Sequence, residues 1–164
     1  MSVQTSYAIN HAAAYAGMVF SLEAYNTISK LNKGAAVIPH GLGVVTDGDN
    51  GAKLPVSGST AAQFNGVVMY EINRAQKDGD VSGVTPGQDY TVITHGEVYV
   101  KANVAVVKDD PVFLIVSTGS GTSQGEFSNV IGSGDTLGVA ITGAKWTSSA
   151  DAGALAKISF GIGG

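Results

Sequence analysis

Apolar and polar residues alternate with a period of two along several short stretches of this chain. In the stretch 154–162, Ala156 and Ile158 lie on one face and Lys157 and Ser159 on the other, as a strand with one buried face requires. Stretches of this kind, rich in Val, Ile, Tyr and Phe, predict six strands: 36–46, 66–72, 90–102, 111–116, 136–142 and 154–162.

Turn-forming residues separate these predicted strands. The chain has 23 glycines in 164 residues, about twice the usual share. Runs such as DGDNG at 47–51 and PG at 86–87 supply the positive φ angles or preset φ that tight turns need. The spacing predicts an all-β protein, a small β-barrel or sandwich of short antiparallel strands with at most one or two short helices.

Gly96 interrupts the alternation within 90–102, because Tyr90 and Val92 precede it and Val98 follows it. A glycine inside a strand often marks a bulge or bend at which the count of faces is reset. One long bent strand and two separate strands both fit this pattern.

One short helix is predicted over 22–31, with Ser21 as a possible N-cap. Apolar residues recur there at helical spacing: Leu22, Tyr25, Ile28 and Leu31. The low-complexity run STGSGTSQG at 117–125 has no apolar anchor and predicts an exposed, mobile loop.

The first twenty residues differ from the rest, because small and apolar residues occur there without a local cap or pairing partner. We predict an extended N-terminal arm at 1–20 that docks on a neighbour, followed by a single β-rich domain at 21–164. The alternative is a first edge strand of the chain's own domain with a frayed end. The candidate anchors of the arm are its large apolar residues: Tyr7, Ile9, Tyr15, Met18 and Phe20.

Composition and charge restrict the classes of function that the chain can have. Apolar residues make up 44% of the chain and charged residues only 13%, which indicates a folded protein with an unusually neutral or partner-covered surface. The net charge is −4 and the basic residues are scattered, so nucleic acid is not an expected partner. There is no cysteine, and we recognise neither a signal peptide nor a membrane span.

The chain offers little that resembles catalytic or metal-binding chemistry. The acidic run at 47–51 departs from the ligand spacing of a calcium loop, and the three histidines, His11, His40 and His95, are far apart in sequence. We therefore expect no enzyme activity, no metal and no cofactor. If the protein were a hydrolase, the candidate residues would be Asp89, His95 and Glu97.

A series of short motifs resembles a known family. They are QTSY at 4–7, YAGM at 15–18, NTIS at 26–29, IPHG at 38–41, GVV at 43–45, FNGVV at 64–68, GEVYV at 96–100, DDPVF at 109–113 and AKW at 144–146. Their order resembles the structural cement proteins of bacteriophages, small proteins that decorate capsids. Two positions depart from the family pattern: Asp109, where Gly is commoner, and His40, in place of an aromatic residue.

The resemblance implies a β-barrel-like protomer that is made in the host cytoplasm and resides in the virion. It implies a homotrimer on the outer capsid surface that binds the major capsid protein of HK97 type and stabilises the expanded head. On this reading the arm anchors contact the shell. The alternative is a phage surface or tail adhesin that binds host carbohydrate by stacking Trp146, the only tryptophan, on a sugar ring.

Overall fold

The computed structural model describes residues 14–20, 24–71, 83–117, 124–133 and 136–161. The described residues form twelve strands and one short 3-10 helix, Ala61–Gln63. The strands are β1 Asn26–Asn32, β2 Ile38–Pro39, β3 Gly43–Asp47, β4 Gly51–Lys53, β5 Phe64–Val68, β6 Gly83–Val84, β7 Asp89–Lys101, β8 Pro111–Ile115, β9 Phe127–Ser128, β10 Gly132–Ser133, β11 Thr136–Trp146 and β12 Leu155–Phe160. No helix in these ranges is long and apolar enough to cross a membrane.

The predicted all-β fold is confirmed, and each of the six predicted strands overlaps an observed one. The helix predicted over 22–31 is wrong, because its described part contains β1. That strand pairs antiparallel with β7, with Ile28 opposite Val92, and parallel with β4, with Leu31 opposite Gly51. Thr27 and Ile28 are β-branched and favour strands, so long-range pairing outweighs the weak helical spacing.

Strand β7 organises the fold by changing partners along its length. Its first half lies between β1 and β5, and its second half pairs with β12. Gly96 stands at the change with a φ of +123°. Opposite Asn26 and Thr27 of β1, the register with β7 shifts in a bulge that passes over Thr94. Of the two possibilities left by the sequence, a single bent strand of 13 residues is the one observed.

Two closed rings of strands share β7. The first runs through β1, β4, β3 and β5 and returns to β7 through the β1–β7 pairing. The second runs from β7 through β12, β11 and β8 to β9. It closes through a parallel bridge between Ala102 and Phe127 and a 2.8 Å hydrogen bond from the Asn103 amide to the Phe127 carbonyl. The fold is thus a β-barrel with a second ring built on its longest strand.

The two rings enclose separate cores that meet at β3 and β5. Val44 and Val68 face the smaller core inside the first ring, whereas their neighbours Val45 and Val67 face the larger core. Both sides of these strands are therefore buried, and their sequences read as continuous apolar runs. Trp146 lies in the larger core and is fully buried.

The loop predicted over 117–125 is anchored at both described ends. Ser117 is buried, and its Oγ accepts a 2.7 Å hydrogen bond from the Leu137 amide. The Gly125 amide donates to the Ile115 carbonyl at 2.9 Å. The expected exposure is therefore wrong at these two ends, and residues 118–123 lie outside the described part of the chain.

Tyr90 provides a test of the smaller core. Its side chain is 2% exposed, and its hydroxyl has no hydrogen-bond partner. Burial raises the pKa of this phenol. We expect Tyr90→Phe to raise the free energy of unfolding by about 1 kcal/mol, because a buried hydroxyl without a partner loses its bonds to water and gains none. Urea denaturation of the two proteins measures the difference.

The raised pKa of Tyr90 also predicts how the free energy of unfolding depends on pH. Because the folded state raises the pKa of Tyr90, this phenol ionises first in the unfolded chain as the pH rises above its ordinary pKa of about 10, and the free energy of unfolding then falls. Denaturation at pH 8 and pH 10.5 should therefore show a smaller alkaline loss of stability for Tyr90→Phe. Equal losses in both proteins would contradict this assignment.

Asp109 is the only described non-glycine residue with a positive φ, +73°. This conformation gives a physical reason why Gly suits the position. We expect Asp109→Val to lower the free energy of unfolding by about 1–2 kcal/mol, because a β-branched side chain is strained there. Asp109→Gly should not lower it. Similar losses for both variants in thermal unfolding would show that φ is not what limits this turn.

Candidate functional site

Residues 14–20, called here the docked segment, lie along the second half of β7. The Tyr99 amide donates to the Met18 carbonyl at 2.9 Å, and the Phe20 amide donates to the Glu97 carbonyl at 3.0 Å. The Gly17 amide donates to the Tyr99 carbonyl at 2.7 Å. The expectation that this part of the N-terminus has no local pairing partner is therefore wrong for residues 14–20. The domain boundary at residue 20 stays a prediction.

Two glycines allow the docked segment to approach the body closely. Gly17 has a φ of +85°, and a Cβ placed on it would lie 2.5 Å from the Val68 carbonyl oxygen. Gly41 has a φ of +81°, and its Cβ would lie 2.4 Å from the Cβ of Ala16. The motifs at 15–18 and 38–41, which are 20 residues or more apart in sequence, thus meet in one contact. A side chain at either glycine would push the segment outward.

The docked segment exposes large apolar side chains. Tyr15 is 49% exposed, Met18 43% and Phe20 44%. Tyr25 is also exposed, by 43%, and its Cβ would lie 2.7 Å from a Cβ placed on Gly96, the neighbour on β7 of Glu97, which bonds the Phe20 amide. We call these four residues, three of them aromatic and the fourth Met18, the aromatic strip. An exposed apolar surface of this kind marks an interaction site more often than an isolated side chain does.

Three of the five predicted anchors are therefore described and belong to one segment. Tyr7 and Ile9 lie outside the described residues. Sequence reasoning missed Tyr25, because the helical spacing of its neighbours assigned it to a helix. The β-branched pair that follows it, Thr27 and Ile28, was the signal for a strand.

The base of the strip at Tyr15 is an aromatic cluster. The rings of Tyr15 and Tyr70 stack with centroids 5.1 Å apart and an interplanar angle of 8°. His40 meets Tyr70 edge-on at 5.4 Å, and its Nδ1 lies 2.9 Å from the Met69 carbonyl oxygen. His40 thus packs on Tyr70, which in turn stacks on Tyr15.

Phe20 is held by a different set of contacts. Its ring meets Tyr99 edge-on at 5.8 Å, and the Lys157 ammonium lies 3.5 Å from its centroid. Lys157 also pairs with Glu97 at 3.5 Å, and Glu97 accepts a short hydrogen bond from the Thr147 hydroxyl. The cation is therefore fixed between a carboxylate and the ring, which favours a cation–π contact. These contacts give Phe20 a defined position although it is half-exposed.

The described residues bring together no catalytic constellation from the candidates. Asp89 and Glu97 lie eight positions apart on the same strand, roughly 26 Å at 3.3 Å per residue, and Glu97 is already engaged by Lys157 and Thr147. His95 lies against Gly161 instead. His11 lies outside the described residues.

Within the described part of the chain, neither a metal site nor the sugar-stacking site is formed. No group of three or more His, Asp or Glu residues in the described ranges could hold a metal ion. In the acidic turn, Asp47 pairs with Lys53 at 3.2 Å. Trp146 is 0% exposed, and its Nε1 points to the Ser128 carbonyl oxygen at 3.4 Å. The prediction that Trp146 stacks on a sugar is wrong, because hydrophobic burial takes this ring into the core.

The close packing at Gly41 can be tested against a matched glycine. Gly41 and Gly87 have nearly the same φ, +81° and +79°, but nothing lies within 4 Å of a Cβ at Gly87. Both alanine substitutions should cost about 1 kcal/mol for the left-handed backbone. Gly41→Ala should cost about 2 kcal/mol more, because it overpacks the contact with Ala16. Equal losses in chemical denaturation would show that the segment does not press on Gly41.

The fold and the site together define a β-barrel protein that presents exposed apolar side chains on a segment bonded to its longest strand. Residues 3–161 match the family model described as structural cement protein (E217 gp24/Pam3 gp6). The chain therefore belongs to this family of phage structural cement proteins. It has a phage capsid-associated structural role, and its place is the capsid of the virion.

One solved structure shares the fold of this chain. A chain in the capsid of Myoviridae Phage XM1 aligns with a TM-score of 0.75 and 18% identity, covering 99% of both chains. At this identity the match shows the shared fold. The N base of head fiber gp8.5 in bacteriophage phi29 aligns with a TM-score of 0.41 and 15% identity, covering 85% of this chain and 97% of that one. No curated protein matches the chain.

Proposed function

We propose that this protein cements the expanded phage head by binding the outer surface of its shell as a homotrimer. The partner is the major capsid protein, of HK97 type. The observation that carries the proposal is the aromatic strip, four apolar side chains each exposed by 43–49%. Large apolar and aromatic side chains contribute most of the binding energy at protein interfaces.

The supports of the strip favour tight binding. Tyr15 rests on Tyr70, and Phe20 lies between Tyr99 and Lys157. Because these contacts exist before binding, little side-chain freedom remains to be lost on association. We include Tyr7 and Ile9, the other two predicted anchors, among the contacts to the shell.

The stabilising effect follows from linkage. A protein that binds the expanded shell and not the opened one shifts the equilibrium toward the expanded state by mass action. A trimer can engage several capsid subunits at once, which raises the effective concentration of each further contact. Many copies on one shell then resist internal pressure together.

The first test mixes the purified protein with expanded capsids that lack it. We expect saturable cosedimentation and a higher temperature of shell opening than for undecorated capsids. Absence of binding would overturn the cement function itself, and a glycan array would then test the adhesin alternative.

A second test addresses the strip. Tyr15→Ser/Phe20→Ser should weaken capsid binding about 30-fold or more, the loss typical of removing interface hot spots worth about 2 kcal/mol. The matched control is Val56→Ser/Ile131→Ser, which removes apolar side chains that are 48% and 60% exposed but lie outside the strip. Thermal unfolding of each variant confirms that it folds. Equal affinities for both variants would remove the strip from the interface.

The trimer has its own measurement. With a chain mass of 16.6 kDa, three copies have a mass of about 50 kDa. Sedimentation equilibrium of the free protein should give this value, and a concentration-independent single-chain mass would contradict a stable trimer in solution.

A further inference from the structure

We propose that the docked segment, residues 14–20, is an exchangeable strand, and that its groove also accepts the same segment from a second copy of the chain. In the structure the groove holds the segment of its own chain. It lies between the second half of β7 and Tyr70, whose amide donates to the Gly17 carbonyl at 2.9 Å. Four features of the groove and its occupant support exchange.

First, the segment is held by backbone hydrogen bonds and by few buried side chains: Ala14 is buried and Val19 packs against the larger core. Four hydrogen bonds of 2.7–3.0 Å join it to Tyr70, Glu97 and Tyr99, whereas Tyr15, Met18 and Phe20 leave over two fifths of their surface exposed. An element with few buried side chains opens at lower free energy than the core strands. Backbone bonds to a strand edge form equally well with a segment from another chain.

Second, the body closes without the segment. The first ring closes through the β1–β7 pairing, and the second closes through Ala102 and Phe127. Neither ring includes residues 14–20. The edge of β7 that receives the segment is therefore formed by strands whose other pairings persist when the segment leaves.

Third, the groove selects its occupant. A Cβ at Gly17 would lie within 3 Å of the backbone of Val68, Tyr70 and Gly41, and a Cβ at Gly41 would meet Ala16. The groove therefore requires a segment with a small residue followed by a glycine of positive φ in a turn, closed by the 3.1 Å hydrogen bond from the Met18 amide to the Tyr15 carbonyl. The chain's own Ala16 and Gly17 satisfy this requirement, which makes a second copy of the segment the best occupant from outside.

Fourth, exchange leaves the contact set unchanged. A segment from a second copy makes the same hydrogen bonds and the same glycine contact, so the difference in free energy comes from the connecting residues and from the entropy cost of association, which falls as the concentration rises. Exchange of an identical element is a low-cost route to an oligomer. The inference does not depend on capsid binding.

A pair of engineered cysteines tests the exchange in the full chain. Val19 faces Val98 in an antiparallel bridge, and the flanking hydrogen bonds from Tyr99 and Phe20 identify it as the narrow, non-hydrogen-bonded kind. The Cα atoms of such pairs are about 4.5 Å apart, within the range of a disulfide. The chain has no cysteine of its own, so every disulfide comes from the introduced pair.

Val19→Cys/Val98→Cys is refolded at several concentrations and oxidised. We expect covalent dimers or larger species on a non-reducing gel, at a fraction that rises with concentration, with position 19 linked to position 98 by mass spectrometry. Only monomers with an internal 19–98 disulfide would overturn exchange. In the companion experiment, Val19→Cys and Val98→Cys chains are refolded together. A 19–98 dimer should form in the mixture and in neither protein alone.

Two further variants keep the test decisive. Val98 lies in the core, so Met18→Cys/Tyr99→Cys, one position along and outside the core, repeats the test if the first pair fails to fold.

Adding Gly17→Val to the first pair should abolish the intermolecular disulfide, because the new side chain would collide with Val68 and Gly41. Covalent dimers that persist with Gly17→Val would contradict selection of the segment by the groove.

Discussion

The change of partners along β7 is the constraint on which the rest of the structure depends. One half of this strand closes the first ring and the other half begins the second, so the two cores have a fixed position relative to one another. Gly96 makes the change possible. Its φ of +123° is unfavourable for other residues, and a Cβ there would press on Tyr25. The absence of a side chain at Gly96 therefore also leaves room for Tyr25.

Burial on both sides of β3 and β5 explains the unusual composition. A sheet that is covered on one face needs polar residues on the other, but these strands send Val45 and Val67 to one core and Val44 and Val68 to the other. The low share of charged residues, 13%, is thus partly a consequence of the architecture. The sequence suggested a partner-covered surface as one explanation, and the doubly buried strands supply another.

The polar contacts of the site hold apolar side chains in place. Three polar residues lie on the outer face of the second ring of strands: Glu97, Thr147 and Lys157. Their contacts with one another hold the Lys157 ammonium against the Phe20 side chain and fix its position. His40 and Tyr70 do the same for Tyr15. A residue that looks like a catalytic candidate in the sequence, such as Glu97, is here a support for a surface. Such an arrangement is consistent with a protein whose role is structural.

The sequence by itself determined the all-β class, most strand positions, the interruption of the alternation at Gly96 and three described members of the strip, because period-two alternation and glycine turns are local signals. Tertiary structure alone decided the rest. Tyr25 and Ile28 carry helical spacing yet belong beside or within a strand, since pairing with β7 outweighs weak propensity. Trp146 is buried in the core, and Gly17 lies against Gly41. Burial and close backbone approach depend on residues far apart in the chain, and no local sequence pattern contains that information.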